Sequence, residues 1–293
     1  MIRQPAVAGR FYPADPRELE KSVRACLAAG KPAADSSAAN SPMPQETDAR
    51  IIACLVPHAG YVYSGAVAGA VFARLPIPPH KMPRRAIILG PRHRPPGAEL
   101  AIQSDGAWQT PLGLAPIDAP LARALMAACP LLQDDEVAHR REHSIEVEVP
   151  FLQALANGFT FVPIAIGTLN YDKLIALGDA LAKVISAKHG EEILLVASSD
   201  LNHHEPDDVT RAKDRFAIDQ MLALDPRGLY DAVRREGITM CGVGPAVAAL
   251  AAARKLGAAR AELVRYATSA DAFPADAVRE RESVVGYSGM IFS

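Results

Sequence analysis

The sequence predicts an α/β fold, a single three-layer α/β/α domain built around a central mixed sheet. Strand-like apolar runs alternate with helix-like segments along most of the 293 residues, a pattern typical of layered α/β proteins. The last two strand-like runs follow one another without an obvious helix, so the sheet should contain antiparallel as well as parallel strands. No linker-like composition divides the chain, which favours one domain over residues 1–293.

The first third of the chain begins with a helix predicted over residues 16–29, where apolar side chains repeat on one helical face. Asp15 is suited to cap this helix, and Pro16 is suited to its first position. Residues 31–49 are rich in Ala, Ser, Pro and Asn, which predicts a flexible loop or an exposed insertion. The remaining predicted elements of this third are a strand at 51–56, a helix at 65–75 and a strand at 86–89.

The alternation of elements continues to the end of the chain. Residues 159–166 form an apolar run typical of a buried strand, and residues 173–188 have the period of an amphipathic helix. The Gly244-Pro245 pair is expected to begin an Ala-rich helix that ends at Gly257. The other predicted elements are strands at 100–103, 193–196, 263–267 and 284–292, and helices at 121–128, 145–155, 207–224 and 226–235.

Composition and charge argue against several classes of protein. Apolar residues make up 49% of the chain, enough for a sizeable core, and the formal net charge of -2 comes with no basic stripe that would suit nucleic acid. No apolar window is long enough to span a membrane, and the N-terminal residues do not resemble an export signal. The four cysteines show no paired spacing, so we expect reduced thiols and a cytoplasmic protein.

Histidines follow three of the strand-like runs. His58, His93 and His203 each lie just beyond such a run, and His204 is interpreted as an exposed neighbour of the third. Because the carboxyl ends of strands form the ligand crevice of an open α/β sheet, these side chains are expected to meet in space. A histidine satisfied by backbone groups is the alternative for each one taken alone. Imidazole is the commonest metal ligand and a general base near neutral pH, so the repetition predicts a metal centre.

Acidic residues accompany two of these histidines. Asp200 can pair with His203 and orient its ring, although Asp200 or Asn202 can equally cap a following helix. The Glu-His-Ser-Ile-Glu cluster at 142–146 either marks a helix N-terminus, where carboxylates are favoured, or lines a pocket through His143.

Two further features leave alternatives open. Arg92 and Arg94 flank His93 and are either solvated loop charges or groups that meet an anionic substrate. Cys241 is the only cysteine in a glycine-rich segment, at the predicted start of a helix whose dipole favours a thiolate. It can therefore act as a nucleophile or a soft metal ligand, with a packing role as the plain alternative.

Together these segments resemble the Memo family, also called AmmeMemoRadiSam system protein B, along nearly the whole chain. Five dispersed motifs occur in the family's order, and the opening Ala-Val-Ala-Gly-Arg-Phe-Tyr-Pro run at 6–13 also matches. The motifs are Pro57-His58-Ala59-Gly60-Tyr61, Gly90-Pro91-Arg92-His93, Glu142-His143-Ser144-Ile145-Glu146, Ser198-Ser199-Asp200 with His203, and Cys241-Gly242.

The resemblance implies a fold related to the class III extradiol dioxygenases and a site with one metal ion. His58, His93 and Cys241 would be the ligands, and His203 would stand where those enzymes keep their acid/base histidine. Asp200 and His143 would complete the catalytic group, and the substrate pocket is expected to include Tyr61, Arg92 and Glu146.

The third ligand departs from the dioxygenase pattern. Those enzymes hold iron with two histidines and one carboxylate, whereas here the thiolate of Cys241 would take the carboxylate's place. Sulfur suits iron, copper or zinc, with iron expected first, and it argues against simple ring cleavage of catechols.

Three functions follow from this interpretation. The first is a metal-dependent redox enzyme acting on an unknown small molecule or peptide. The second is a non-catalytic adaptor that binds peptides or sequesters metal in the same pocket. The third is a cysteine hydrolase with Cys241 as nucleophile and His203 as base, which leaves His58 and His93 without a role. The family name also implies a functional link to radical-SAM and AMMECR-type proteins.

Overall fold

A computed structural model describes residues 1–30, 50–75, 84–156, 158–187, 193–274 and 278–293. The predicted loop at 31–49 and the end of the helix predicted at 173–188 lie outside these residues. The strands are β1 (Ile2–Arg3), β2 (Ala53–Val56), β3 (Arg85–Pro91), β4 (Leu100–Ile102), β5 (Ala107–Thr110), β6 (Gly113–Pro116), β7 (Gln133–Asp134), β8 (Thr160–Ile166), β9 (Ile193–Ser198), β10 (His203–Glu205), β11 (Ala261–Thr268) and β12 (Val284–Phe292).

Helices alternate with these strands as the sequence predicts. Asp15 caps the first helix through bonds to two backbone N–H groups, and Pro16 occupies its first turn, as expected. The helices are α1 (Pro16–Ala29), α2 (Tyr61–Phe72), α3 (Ala119–Ala128), α4 (Val149–Leu155), α5 (Tyr171–Ser186), α6 (Asp207–Leu222), α7 (Pro226–Arg235) and α8 (Val243–Lys255).

The main sheet is mixed, which confirms the prediction. Within the described ranges it has nine strands, in the order β10-β12-β2-β9-β3-β8-β4-β7, with β11 also pairing with β12. The central strands β2, β9, β3 and β8 run parallel to one another. β12 is antiparallel to its partners β2, β10 and β11, and β4 is antiparallel to β8.

Helices cover both faces of this sheet, so the three-layer α/β/α architecture is also confirmed. Along β3, Ile87 and Leu89 belong to one hydrophobic cluster, and Ala86 and Ile88 belong to the other. This alternation follows from the two-residue period of a strand. The first cluster is completed by α3, α5, α6, α7 and α8, and the second by α1, α2 and α4.

The carboxyl ends of the central strands meet at one edge of the sheet. Val56 at the end of β2 is in register with Ser198 at the end of β9, and the neighbouring β3 runs in the same direction. The segments that leave these strands carry His58, Asp200 and His93. The edge is therefore the ligand crevice expected of an open α/β sheet.

Some bounds differ from the sequence predictions. α2 begins at Tyr61 rather than at residue 65. The helix predicted at 145–155 starts as a single 3₁₀ turn, and α4 follows with Pro150 in its first turn, where a missing N–H costs nothing. His203 lies in the short strand β10, paired with β12, rather than in a loop.

The N-terminal strand β1 joins β5 and β6 in a second, smaller sheet with the order β1-β5-β6. Ile2 pairs with Ala107 and Arg3 with Trp108, in parallel register. Among the helices in the described residues, none has both the length and the apolar character needed to cross a lipid bilayer.

Candidate metal centre

His58 is fixed at the end of β2 by two hydrogen bonds. Its backbone N–H donates to the Asp200 carboxylate at 2.8 Å, and its ring Nδ1 lies 2.8 Å from Ser198 Oγ. The residue is only 1% exposed. Burial, reinforced by the neighbouring His143 and His93, lowers the pKa of this imidazole well below its usual value. His58 is therefore a neutral ring with a fixed orientation.

Ser198 determines which nitrogen of His58 carries the proton. Its hydroxyl lies 2.6 Å from the carbonyl oxygen of Ser144, which can only accept, so the hydroxyl must donate there. Only lone pairs then remain on Ser198 for His58 Nδ1, which must carry its hydrogen. Nε2 keeps its lone pair and is free to bind a metal ion.

The Glu148 carboxyl makes the third contact of the Ser198 hydroxyl, at 3.2 Å. Glu148 is fully buried. Burial raises the pKa of this carboxyl well above its usual range, with a smaller contribution from the charge of Asp200. A protonated Glu148 donates to Ser198 and so fits the same arrangement, in which Ser198 accepts from His58.

His93 is held by a carboxylate instead. Its Nδ1 lies 2.9 Å from Glu142 Oε1, and its backbone N–H donates to Glu142 Oε2 at 2.6 Å. The same carboxylate accepts the backbone N–H groups of His143 and Ser144. Burial acts to raise the pKa of Glu142, but the hydrogen bond and charge of His93 outweigh it and hold that pKa below its usual range. With Nδ1 engaged, His93 presents Nε2 to the crevice.

Cys241 approaches from the opposite side, just before α8. The neighbouring Gly242 donates its N–H to Ser199 Oγ at 3.1 Å, and a Cβ at this position would lie 2.5 Å from the Ser198 carbonyl oxygen. Only glycine permits this close approach to β9. The thiol Sγ consequently lies 3.2 Å from His58 Nε2.

The expectation that a helix dipole gives Cys241 a thiolate needs correction for the metal-free protein. Burial, and then the charge of Asp200, raises the pKa of this thiol well above its usual value. A coordinating metal ion would lower the pKa of this thiol again, because a metal-bound thiol is deprotonated outright.

The three ligands implied by the sequence come together. One donor atom from each of His58, His93 and Cys241 lies within 4.8 Å of the other two. Two ring nitrogens, each from a histidine whose other nitrogen is anchored, and one sulfur are a donor set that suits iron, copper or zinc. The residues therefore fit a transition metal ion of the expected kind.

Two overlapping groups meet the same distance criterion. They are His93 with Glu142 and His143, and Asp200 with His203 and Cys241. Both carboxylates already accept hydrogen bonds that position the ligands, Glu142 from His93 and Asp200 from the His58 backbone. These acids consequently act as supports around the centre.

No hydrogen bond joins Asp200 to His203 among the described residues, although a polar atom of each lies within 4.8 Å of the other. The Asp200 carboxylate accepts the backbone N–H of His58. Neither Asp200 nor Asn202 caps the next helix, since Pro206 holds the N-cap position of α6. Burial raises the pKa of Asp200 to about 7.

His203 nevertheless lies beside the centre. Its donor nitrogen and Cys241 Sγ belong to one group within 4.8 Å, and its backbone N–H donates to Thr239 Oγ1 at 2.7 Å. The ring Nδ1 is buried and has no hydrogen-bond partner among the described residues. Burial lowers the pKa of this imidazole. His203 is thus a neutral ring with one uncommitted nitrogen.

His143 also lies where the sequence places it. Its ring stacks on His93 with centroids 4.7 Å apart and meets the edge of His58 at 5.5 Å. Phe11 covers its other side at 4.8 Å. Burial lowers the pKa of His143 to about 4, so this ring is neutral near pH 7.

The three residues expected to line a substrate pocket are engaged elsewhere. Tyr61 is buried and donates its hydroxyl to the Val147 carbonyl oxygen at 2.7 Å. Glu146 is buried too, and its carboxylate binds the N-terminal segment, including Arg3 at 2.8 Å. Arg92 packs against Gly167, where a Cβ would lie 2.5 Å from the guanidinium, and its buried Nε has no hydrogen-bond partner among the described residues.

Sequence reasoning misses the supports of the ligands. It includes Ser198 only within a motif, does not single out Glu148, and interprets Glu142 as a residue that favours a helix N-terminus. The position of Ser198 in the sequence could have revealed its role. Ser198 ends the strand next to β2, and it therefore lies beside Val56, two residues before His58.

Comparisons with known proteins identify the family of this chain. A family model described as Memo-like protein matches residues 3–291. A MEMO1 family protein of Methanopyrus kandleri is 38% identical over 293 residues, covering 100% of this chain and 99% of the relative. A MEMO1 family protein of Sulfolobus acidocaldarius is 40% identical over 295 residues, with 100% and 99% covered. The chain belongs to the Memo family.

Proposed function

We propose that this chain is a metal-dependent redox enzyme with one transition metal ion, iron first, held by His58, His93 and Cys241. The observation that carries the proposal is the convergence of three donor atoms within 4.8 Å. A purely structural site would close its coordination with a fourth protein ligand, whereas three ligands leave positions for a substrate. When bound, the ion supplies Lewis-acid and electron-transfer chemistry.

The chain's own residues supply orientation and proton transfer. Ser198 and Glu142 hold the ligand rings so that Nε2 of each faces the centre. His203 is the proposed acid/base group, because its ring lies beside Cys241 and its buried Nδ1 has no partner among the described residues. Asp200 supports the proposal as a positioning residue through the His58 backbone, rather than through His203.

The contact between Cys241 and His58 also resembles the site of a cysteine hydrolase. A thiol 3.2 Å from an imidazole nitrogen is placed like a nucleophile and its base. A reactive pair needs the thiolate and imidazolium forms, however, and burial raises the pKa of Cys241 while it lowers that of His58. These two pKa shifts favour the neutral thiol and the neutral imidazole, and so favour metal ligation over a reactive thiolate–imidazolium pair.

Metal content tests the proposal directly. Anaerobically purified protein should carry about one metal ion per chain, and a His58→Ala/Cys241→Ala double variant should carry none, because two of three ligands are gone. Cys26→Ala is the matched control, since Cys26 is a free thiol on α1. Elemental analysis measures all three, and metal retained at full stoichiometry in the double variant contradicts the proposal.

The redox step needs its own measurement. His203→Gln should keep the metal ion, because His203 is not among the three proposed ligands, and should lose turnover in an oxygen-uptake screen with catechols and related small molecules. Metal-loaded protein that binds peptides without any turnover would favour the adaptor function instead. A partnership with radical-SAM and AMMECR-type proteins is part of the same proposal and rests on the family resemblance.

A further inference from the structure

A cavity of about 650 Å³ lies next to the metal centre. One wall is formed by residues 1–7 with Arg10 and Phe11, and another by the segment around residues 136–143. Its size is typical of sites that enclose a small molecule. His143 lines the cavity and stacks on His93, so one imidazole ring separates the cavity from a proposed metal ligand.

Contacts of Arg3 hold the N-terminal wall of this cavity in place. The buried Arg3 donates to the carbonyl oxygens of His139 and Glu142, at 2.7 and 2.6 Å, and pairs with Glu146 at 2.8 Å. Its guanidinium also lies over the Trp108 ring at 4.0 Å. Arg3 is fully engaged, so it positions the wall and its charge is neutralised within it.

The remaining cationic side chains of the cavity are poorly neutralised. Arg10, Arg94, Arg140 and Arg141 all line it and are exposed. The single acid of the lining, Glu136, pairs with Arg140 at 3.5 Å. Within the described ranges, the other three arginines make no ion pair, which leaves a positive cleft. Guanidinium groups bind carboxylate and phosphate oxygens in a two-pronged geometry, and a cleft concentrates their field.

The lining also contains apolar surface. Ile2, Pro5 and Phe11 contribute to it, and Phe11 meets the edge of the His143 ring at 4.8 Å. A ligand of complementary chemistry has an anionic group for the arginines and an apolar or aromatic frame for these side chains.

We propose that this cavity binds a small organic anion, a carboxylate or phosphate ester on an apolar frame, and presents it to the metal centre past His143. The inference rests on the proposed function, because the reaction at the centre is part of it. The anionic part would contact Arg10, Arg94 and Arg141, and the apolar part would lie along Phe11.

Binding of simple probes tests the anion site. Phenyl phosphate and benzoate should bind in titration calorimetry at fixed ionic strength, whereas benzyl alcohol, a similar frame without charge, should bind at least about tenfold more weakly. Equal affinity of the charged and uncharged probes overturns the proposal. So does tighter binding of an acidic peptide than of both small anions.

Substitution locates the site. An Arg10→Gln/Arg141→Gln double variant should weaken phenyl phosphate binding by about tenfold or more, since charged hydrogen bonds are lost. The matched control is Arg123→Gln on α3, because Arg123 is exposed and has no ion pair in the described part of the chain. The control should leave the affinity unchanged, and a double variant that behaves like the control overturns the assignment.

A third measurement connects the cavity to the centre and separates the two proposals. In cobalt-substituted protein, phenyl phosphate should shift the visible absorption of the metal ion in the wild type and require a higher concentration to do so in the double variant. An unchanged spectrum with intact anion binding overturns the presentation to the metal. Failure to bind metal, seen by elemental analysis, contradicts the metal centre, and calorimetry with the metal-free protein then decides whether the anion site exists.

Discussion

The two histidines proposed as metal ligands lie in regions of different construction. His58 ends a central strand, is 1% exposed and is held by the hydroxyl of Ser198 in the adjacent strand. His93 lies beyond the end of β3, its side chain is 29% exposed, and a carboxylate from the segment around Glu142 holds it. One half of the centre is therefore positioned by the sheet, and the other half by contacts between two loops.

The supports also differ in charge. The Ser198 hydroxyl is a neutral group behind His58, whereas the Glu142 carboxylate places a negative charge behind His93. A carboxylate partner raises the basicity of a ligating imidazole. His93 is consequently expected to be the stronger electron donor, although it is the less rigid ligand.

The largest expected effect comes from removing each ring. His58→Gly and His93→Gly should both lose metal binding, because each removes one of three ligands. Millimolar imidazole should restore metal to His93→Gly, where solvent reaches the vacated space, and should fail with His58→Gly, where burial blocks entry. Elemental analysis after desalting measures both, and equal rescue of the two variants would contradict the contrast in accessibility.

A smaller effect is expected from removing the supports. Glu142→Gln and Ser198→Ala should each weaken metal affinity within about 10–100-fold, a typical range for groups that orient ligands. Glu142→Gln should lie near the upper end, because it also removes the charge behind His93. Competition with a chelator measures both, with Glu20→Gln on the exposed face of α1 as control. A larger loss for Ser198→Ala would reverse the ranking of the two halves.

A third effect concerns the stability of the fold rather than metal binding, and it lies on the side of the centre that the sheet positions. The buried Asp214 accepts the backbone N–H of Asn202 at 2.9 Å and the Tyr266 hydroxyl at 2.7 Å, and so orders the segment before His203. Burial raises the pKa of this carboxyl to about 7 from its ordinary value near 3.8. Between these two values the unfolded chain is ionised while the folded protein stays protonated, so the free energy of unfolding falls as pH rises.

Asp214→Asn should remove that dependence. Relative to the wild type, the variant should gain up to about 1.4 kcal/mol of unfolding free energy per pH unit between pH 4 and 7. Urea unfolding at several pH values measures the gain. Asp219→Asn is the control, because Asp219 lies on the same helix and is exposed. A difference between variant and wild type that stays constant with pH would contradict the assignment to Asp214.

Much of this arrangement was predictable from the sequence because it follows strand direction. Strand-end positions indicated His58, His93 and His203 as candidates, whereas the choice of His58, His93 and Cys241 as ligands followed from the family resemblance. The hydrogen bond between Asp200 and His58 was not predictable, because the three-residue spacing of Asp200 and His203 does not reveal that this carboxylate accepts the His58 backbone N–H. Spacing along a chain predicts contacts within a helix, but not across a turn.

The cavity beside the centre depends on long-range contacts that no local pattern contains. Arg3 and Glu146 are separated by most of the first half of the chain, yet their ion pair holds the N-terminal wall in place. The arginines around the opening come from three separate segments. Sequence reasoning identified only Arg94 among them, through its position beside His93.

The position of β12 between β2 and the outer strands β10 and β11 has a consequence for the order of assembly. This strand pairs with β2 through Cys54 and Ile291, residues from nearly opposite ends of the chain, and it also holds β10, which carries His203. Cys241 and His58 are themselves 183 positions apart. Contacts of such separation form slowly, because a long loop must close first. The proposed ligands therefore come together only when these long-range strand pairings form, and we expect metal binding to follow assembly of the sheet.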